Sequence, residues 1–178
     1  GDIHLDILTL DTQGIIVRED ALAIEEALEI RLSGTEPVIT MRTPGHDREL
    51  AAGLMLSEGV AHTKDDFEVI DHLVVLKRFN SMQAERLERS SLSNSACGVC
   101  GKKKLNLDAM QGLAPLAFST RLSQQLLLSL PGELYKQQRL FEQTGGLHAA
   151  ALFDTSGQLL VLREDVGRHN AVDKLTGW

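Results

Sequence analysis

Residues 149–175, AAALFDTSGQLLVLREDVGRHNAVDKL, decide the fold class. Ala149–Phe153 and Gln158–Leu162 are apolar runs separated by Asp154-Thr155-Ser156-Gly157, a turn signal that predicts a β-hairpin. A last helix is predicted directly after it, from near Val166 to Leu175. Strands and helices interleave along the rest of the chain with no repeat and no low-complexity tract. That pattern favours α/β layers over an all-β sandwich or a helical bundle.

Upstream, Ser123–Phe141 reads as a helical segment interrupted at Pro131-Gly132, and Lys102–Leu107 is able to open a short helix. Ser90–Gly101, SSLSNSACGVCG, is small and polar and predicts a mobile loop that holds both cysteines. Ser81–Ser90 is expected to be helical, and Val69–Leu76 reads as a strand. Asp47 is the expected N-cap of a helix that carries Leu50, Leu54 and Met55 at helical spacing and stops at Gly59. The first quarter alternates apolar and polar residues at Ile3, Leu5 and Ile7, then at Leu28–Leu32, with Gly14 and Ser33-Gly34 as punctuation and Pro37–Met41 as a further run. It is expected to be a meander feeding one sheet. The expected organisation is one domain over 1–178 with a β-rich subdomain over about residues 1–45.

The chain has 178 residues, 43% of them hydrophobic and 24% charged, so a packed core is within reach and disorder as the dominant state is excluded. A net charge of -7, from 18 Lys+Arg against 25 Asp+Glu, argues against a protein whose main task is to neutralise nucleic-acid phosphates. No run approaches the roughly 18 apolar residues of a membrane span, and GDIHLDILTL lacks the basic start and cleavage site of a signal peptide. A cytoplasmic protein is expected. Because the chain starts without Met and ends at Trp178 just after a helix-like segment, a fragment or a set of joined ordered pieces is also expected. A homodimer is expected from a sheet with Leu-rich helices and few aromatics.

Cys97 and Cys100 are the only cysteines, spaced as Cys97-Gly98-Val99-Cys100. Two unrelated buried thiols are disfavoured, because packed cysteines do not call for a Gly/Ser loop. A structural zinc site is the weaker reading, since none of His4, His46, His62, His72, His148 and His169 forms a pair at ligand spacing. Redox or sulfur chemistry remains. It needs a thiolate, and Lys102, Lys103 and Lys104 follow directly with the positive charge that favours one.

Two further clusters stand out. Thr144-Gly145-Gly146-Leu147-His148-Ala149-Ala150 fits either a concavity of backbone N–H groups able to hold an anion or a tight turn before a closely packed element. Arg163-Glu164-Asp165-Val166-Gly167-Arg168-His169-Asn170, with Asp173-Lys174, fits either helix capping with local ion pairs or a ligand pocket. The pocket is favoured by Gly167 in the first helical turn beside an Arg and a His suited to phosphate or carboxylate recognition. Neither His-x-Glu nor Pro-Cys-x-x-Cys occurs, which disfavours a zinc nucleoside deaminase.

Four segments, Leu50–Gly59, Cys97–Gly101, Thr144–Ala150 and Arg163–Lys174, together resemble in content and order the formate dehydrogenase accessory sulfurtransferase family, FdhD. The resemblance implies a cytidine-deaminase-like α/β fold, a layered sheet with flanking helices, without deaminase zinc chemistry and without a bound metal of its own. It implies a sulfurtransferase: a cysteine desulfurase passes sulfur as a persulfide to Cys97, with Cys100 assisting, and the protein delivers it to the molybdenum bis(molybdopterin guanine dinucleotide) cofactor of formate dehydrogenase. Gly145, Gly146, His148, Arg168 and His169 are the expected cofactor-binding residues. Family members are expected to continue past the Asp173-Lys174 helix into a stretch that completes this site. The rivals are a thiol-disulfide oxidoreductase and a non-catalytic chaperone of the cofactor or the dehydrogenase.

Overall fold

The structure is a computed structural model that describes residues 1–12, 14–31, 37–58, 67–70, 73–76 and 120–178. The elements in chain order are β1 (Asp2–Asp11), β2 (Gly14–Ala23), β3 (Glu26–Arg31), β4 (Val38–Arg42), α1 (Asp47–Ser57), β5 (Phe67–Ile70) and β6 (Leu73–Leu76). They continue with α2 (Gln124–Tyr135), α3 (Arg139–Thr144), β7 (His148–Phe153), β8 (Leu159–Asp165) and α4 (Arg168–Thr176). This is the mixed α/β composition expected.

Among the described residues the strands form three sheets: β1-β2, the four-stranded β4-β3-β6-β5, and β7-β8. The single meander is therefore corrected. β1 and β2 pair only with each other, from Asp2↔Ala23 to Asp11↔Gly14. Strand character lapses at Ile24-Glu25, and β3 is flanked by antiparallel β4 and parallel β6. The expected strand Val69–Leu76 is two strands, β5 and β6, folded back with Ile70 opposite Leu73. Asp71-His72 carries no glycine or proline to signal that reversal.

Helix α1 covers the four-stranded sheet. Leu50, Ala51 and Met55 from α1 pack with Leu28 and Ile30 of β3, Phe67 of β5, and Val74 and Leu76 of β6, all buried. The period of 3.6 on the helix and of two on the strands brings these residues to one interface. The expected N-cap is also corrected: His46, in the left-handed region at φ 59°, holds that position, and Asp47 is the first helical residue. Asp47 is claimed instead by the fully buried Arg42, which donates from Nε (2.9 Å) and Nη2 (2.8 Å) to its carboxylate. Burial opposes the charge on Arg42, but Asp47 and Glu26 outweigh it and hold the guanidinium above its usual pKa.

Helix α2 is capped by Ser123, whose Oγ accepts from the Leu126 N–H at 3.1 Å. It runs through Pro131 without the expected break. Proline removes a bond to the Leu127 carbonyl, but Leu127 is half exposed and water can serve that oxygen. The interruption falls later, where Gln137 and Gln138 donate to Leu134 and Tyr135 in a tighter turn ahead of α3.

The β7-β8 hairpin forms as expected. Asp154 accepts from the Ser156 hydroxyl (2.7 Å), the Ser156 N–H (2.8 Å) and the Gln158 N–H (2.9 Å), which lowers its pKa, and Gly157 takes φ 88°. Strand β8 extends to Asp165, so Arg163-Glu164-Asp165, read as the approach to a helix, is the end of a strand. Helix α4 starts at Arg168, and Gly167 is its extended N-cap residue and not part of its first turn.

Candidate functional site

The last three residues of β8 point in alternate directions, as a strand requires, and each reaches a different helix. Arg163 turns to α1 and donates from Nε and from Nη2 (2.7 Å) to the Glu49 carboxylate. Glu164 turns to α3, accepting from the Leu140 N–H (3.2 Å) and the Phe141 N–H (2.9 Å). Its charge therefore sits at a helix N-terminus, but the helix is one sequence logic does not associate with it.

Asp165 lies on the same side as Arg163 and is wholly buried. Its Oδ2 accepts from Lys174 Nζ (2.7 Å) and from the Thr43 N–H (3.1 Å). Its Oδ1 accepts from the Gly167 N–H (2.8 Å) and Asn170 Nδ2 (3.1 Å). The buried Lys174 ammonium also donates to the carbonyls of Thr43 (2.8 Å) and Glu164 (3.3 Å). The Thr43 hydroxyl closes the circuit by accepting from the Val166 N–H at 3.0 Å. Every charge in this node is partnered, as burial requires. The node joins the Thr43–His46 turn, the end of β8 and both ends of α4.

Helices α1 and α4 meet at backbone distance. A Cβ at Gly53 would overlap the Asp173 carbonyl, and one at Gly177 would overlap the Glu49 carbonyl. Ser57 Oγ donates to Asp173 Oδ1 at 3.0 Å at the same crossing. Gly53 therefore allows close packing between helices.

His46 completes the α1 end of the site, its Nδ1 3.3 Å from Glu49 Oε2. Burial pushes its pKa down, as do the positive charges of Arg163 and Lys174, against the opposing pull of Glu49 and Asp47.

The residues singled out in the sequence are thus partly gathered. His148 opens β7 directly opposite Asp165 and is exposed. Arg168 and His169 are exposed on the first turn of α4. Gly145 and Gly146 lie just ahead of β7. Gly145 ends α3 in the left-handed region at φ 65° and donates its N–H to the Phe141 carbonyl (2.7 Å), while the Gly146 N–H donates to Thr144 Oγ1 (3.4 Å). That is the geometry of the helix-ending turn. Glu164 and Asp165 serve α3 and the buried node, so they do not belong to a cap on α4. Cys97 and Cys100, with the loop, the lysines and the helices expected over 81–90 and 102–107, lie outside the described residues. Among the described residues no cluster of His, Cys, Asp and Glu is arranged to hold a metal ion.

Thr43 and Glu49 carry no local signal in the sequence. Their partners Asp165 and Arg163 lie 122 and 114 positions away.

Helices packed on the two sides of a short β-hairpin, with a buried acid–lysine node at its open end, define a mixed α/β protein. The chain belongs to the FdhD/NarQ family, whose model matches residues 23–178. The sulfur carrier protein FdhD of Mycobacterium tuberculosis is 37% identical over 98% of this chain and 70% of its own length. That of Streptomyces avermitilis is 42% identical over 96% and 67%, and that of Sulfurisphaera tokodaii 44% over 90% and 63%. The chain thus spans about two thirds of the length of these relatives. A crystal structure from Desulfotalea psychrophila, described as that of a candidate formate dehydrogenase accessory protein, superposes with a TM-score of 0.70 over 99% of this chain and 68% of its own. At 22% identity it attests the fold.

Proposed function

We propose that the protein is a sulfur carrier that serves formate dehydrogenase. The observation that carries this reading is the kinship with proteins named sulfur carrier protein FdhD across nearly the whole chain, in a sequence that holds Cys97-Gly98-Val99-Cys100.

In the proposed transfer the Cys97 thiolate attacks the outer sulfur of a cysteine desulfurase persulfide. A new S–S bond forms, the donor's S–S bond breaks, and the donor cysteine leaves as its thiolate, so the sulfane atom rides on Cys97. Lys102–Lys104 favour the anionic thiol by charge, and Cys100 shares the load. The sulfur acceptor is the molybdenum bis(molybdopterin guanine dinucleotide) cofactor, received as substrate beside His148, Arg168 and His169. Two features support that placement. Arg168 and His169 stand exposed at a helix N-terminus, where the dipole and a guanidinium both favour phosphate. The Gly145-Gly146 turn leaves open space beside the strand that carries His148. Holding the acceptor makes delivery effectively intramolecular. The cytidine-deaminase-like layering and action in the cytoplasm belong to the same proposal.

The test is to incubate the protein with a cysteine desulfurase and cysteine and to weigh it intact and as peptides. One added sulfur on the Cys97 peptide, absent from Cys97→Ala, is the expected result. A reversible loss of two hydrogens without added sulfur would instead identify a thiol-disulfide oxidoreductase. Full activation of formate dehydrogenase in cells by Cys97→Ala would identify a chaperone.

A further inference from the structure

Among the described residues, nothing covers one coherent face of the β1-β2 hairpin at its turn end. Leu8 lies opposite Val17 and Leu10 opposite Ile15, so the alternation of the strands places all four on the same side. They are 74%, 65%, 77% and 69% exposed, respectively. Lone exposed leucines are ordinary, but four on adjacent rungs form a patch. The next rung on that face is Asp6 opposite Glu19, two exposed carboxylates in direct cross-strand register, a pairing that destabilises a sheet. Among the described residues, the base beside it on that face is His4, which is shared between Asp2 (3.1 Å) and Glu19 (3.0 Å). A two-stranded hairpin is marginal by itself, and this one carries both an uncovered apolar patch and an unfavourable charge rung.

We infer that this face docks a protein partner whose contact surface presents apolar side chains rimmed by lysine or arginine. Charge selects the occupant. A second copy of the chain would bring the same Asp6–Glu19 rung against itself, and an anionic lipid surface would be repelled by it. A basic rim relieves the rung while the four apolar side chains lose contact with water.

The test uses the full chain, methyl-labelled at Leu, Ile and Val, and two synthetic amphipathic helical peptides with the same leucine face, one rimmed by lysine and the other by glutamate. The lysine peptide is expected to shift the methyl signals of Leu8, Leu10, Ile15 and Val17 in NMR spectra and to bind about tenfold more tightly than the glutamate peptide. The double variant Asp6→Lys/Glu19→Lys, whose changes are both on exposed side chains, is expected to reverse the order. Equal affinities, no binding of either peptide, or shifts confined to other methyls would overturn the inference. A dimer in sedimentation that Leu8→Ser converts to monomer would assign the face to a second copy and overturn it. So would binding of phosphatidylcholine vesicles through the same residues.

Discussion

Lys174 Nζ lies 2.7 Å from Asp165 Oδ2, and both side chains are fully buried. Lys174 also donates to two backbone carbonyls, and Asp165 accepts from two backbone N–H groups and from Asn170. The pair therefore fixes backbone from three parts of the chain in one place. Removing one partner strands the other charge in a dry site. Lys174→Met, which keeps the length of the side chain, is expected to destabilise the protein by about 3–5 kcal/mol, read as a lowered midpoint in urea at pH 7. A change below about 1 kcal/mol would show that water reaches the node.

Gly53 and Gly177 face opposite helices at backbone distance. In an exposed helix, Gly→Ala stabilises by up to about 1 kcal/mol. Gly53→Ala is expected to do the reverse, because its methyl meets the Asp173 backbone and cannot be relieved by a rotamer change. A loss of about 1–3 kcal/mol is expected, measured as thermal stability, with Gly132→Ala as the control. Gly132 also lies in a helix, but a Cβ there meets nothing within 4 Å.

Glu164 spans α3 and β8 through two backbone N–H groups. Glu164→Gln keeps its shape but removes the charge and one acceptor oxygen. It is expected to lower stability by about 0.5–2 kcal/mol, with faster amide exchange at Leu140 and Phe141. Unchanged exchange at both amides would show that the carboxylate is not their partner in solution.

The elements that local pattern could announce were the ones the sequence announced. The β7-β8 hairpin was readable from Asp154 and Gly157 because an Asx turn and a positive φ need those residue types. Helix α4 was readable to within about two residues of each end. The misreadings have a common cause. Asp47, Glu164 and Asp165 each look like cap residues of the nearest helix, yet each is taken up by a group that a capping pattern does not point to: Arg42 on the preceding strand, the start of α3, or Lys174 in the last turn of α4. A buried guanidinium or ammonium needs a carboxylate more than a helix end does, because a helix end can turn to water. Nothing local could reveal Thr43 as a partner of Asp165. The Gly145-Gly146 pair was legible as an alternative, and the turn is what forms. The family likeness was legible because four motifs recur in order, although the helix packing that explains Gly53 was not.

His46 combines a left-handed backbone, a contact between its Nδ1 and the Glu49 carboxylate, and a lowered pKa, caused first by burial and then by Arg163. Because the folded protein resists protonating this imidazole, the proton is taken up preferentially by the unfolded chain. The contribution to stability is then complete above the unfolded value of about 6.5, shrinks as the pH falls below it, and levels off once the pH passes the folded value. Thermal unfolding followed from pH 8 to pH 5 should therefore show a fall in midpoint that begins near pH 6.5. In His46→Asn that part of the fall is expected to disappear, since asparagine tolerates the left-handed backbone and carries no titrating group. The imidazole is half exposed, so the effect is expected to be small beside the loss in Lys174→Met. A profile unchanged by His46→Asn would place the titration elsewhere, and a fall that steepens in the variant would reverse the sign argued for His46.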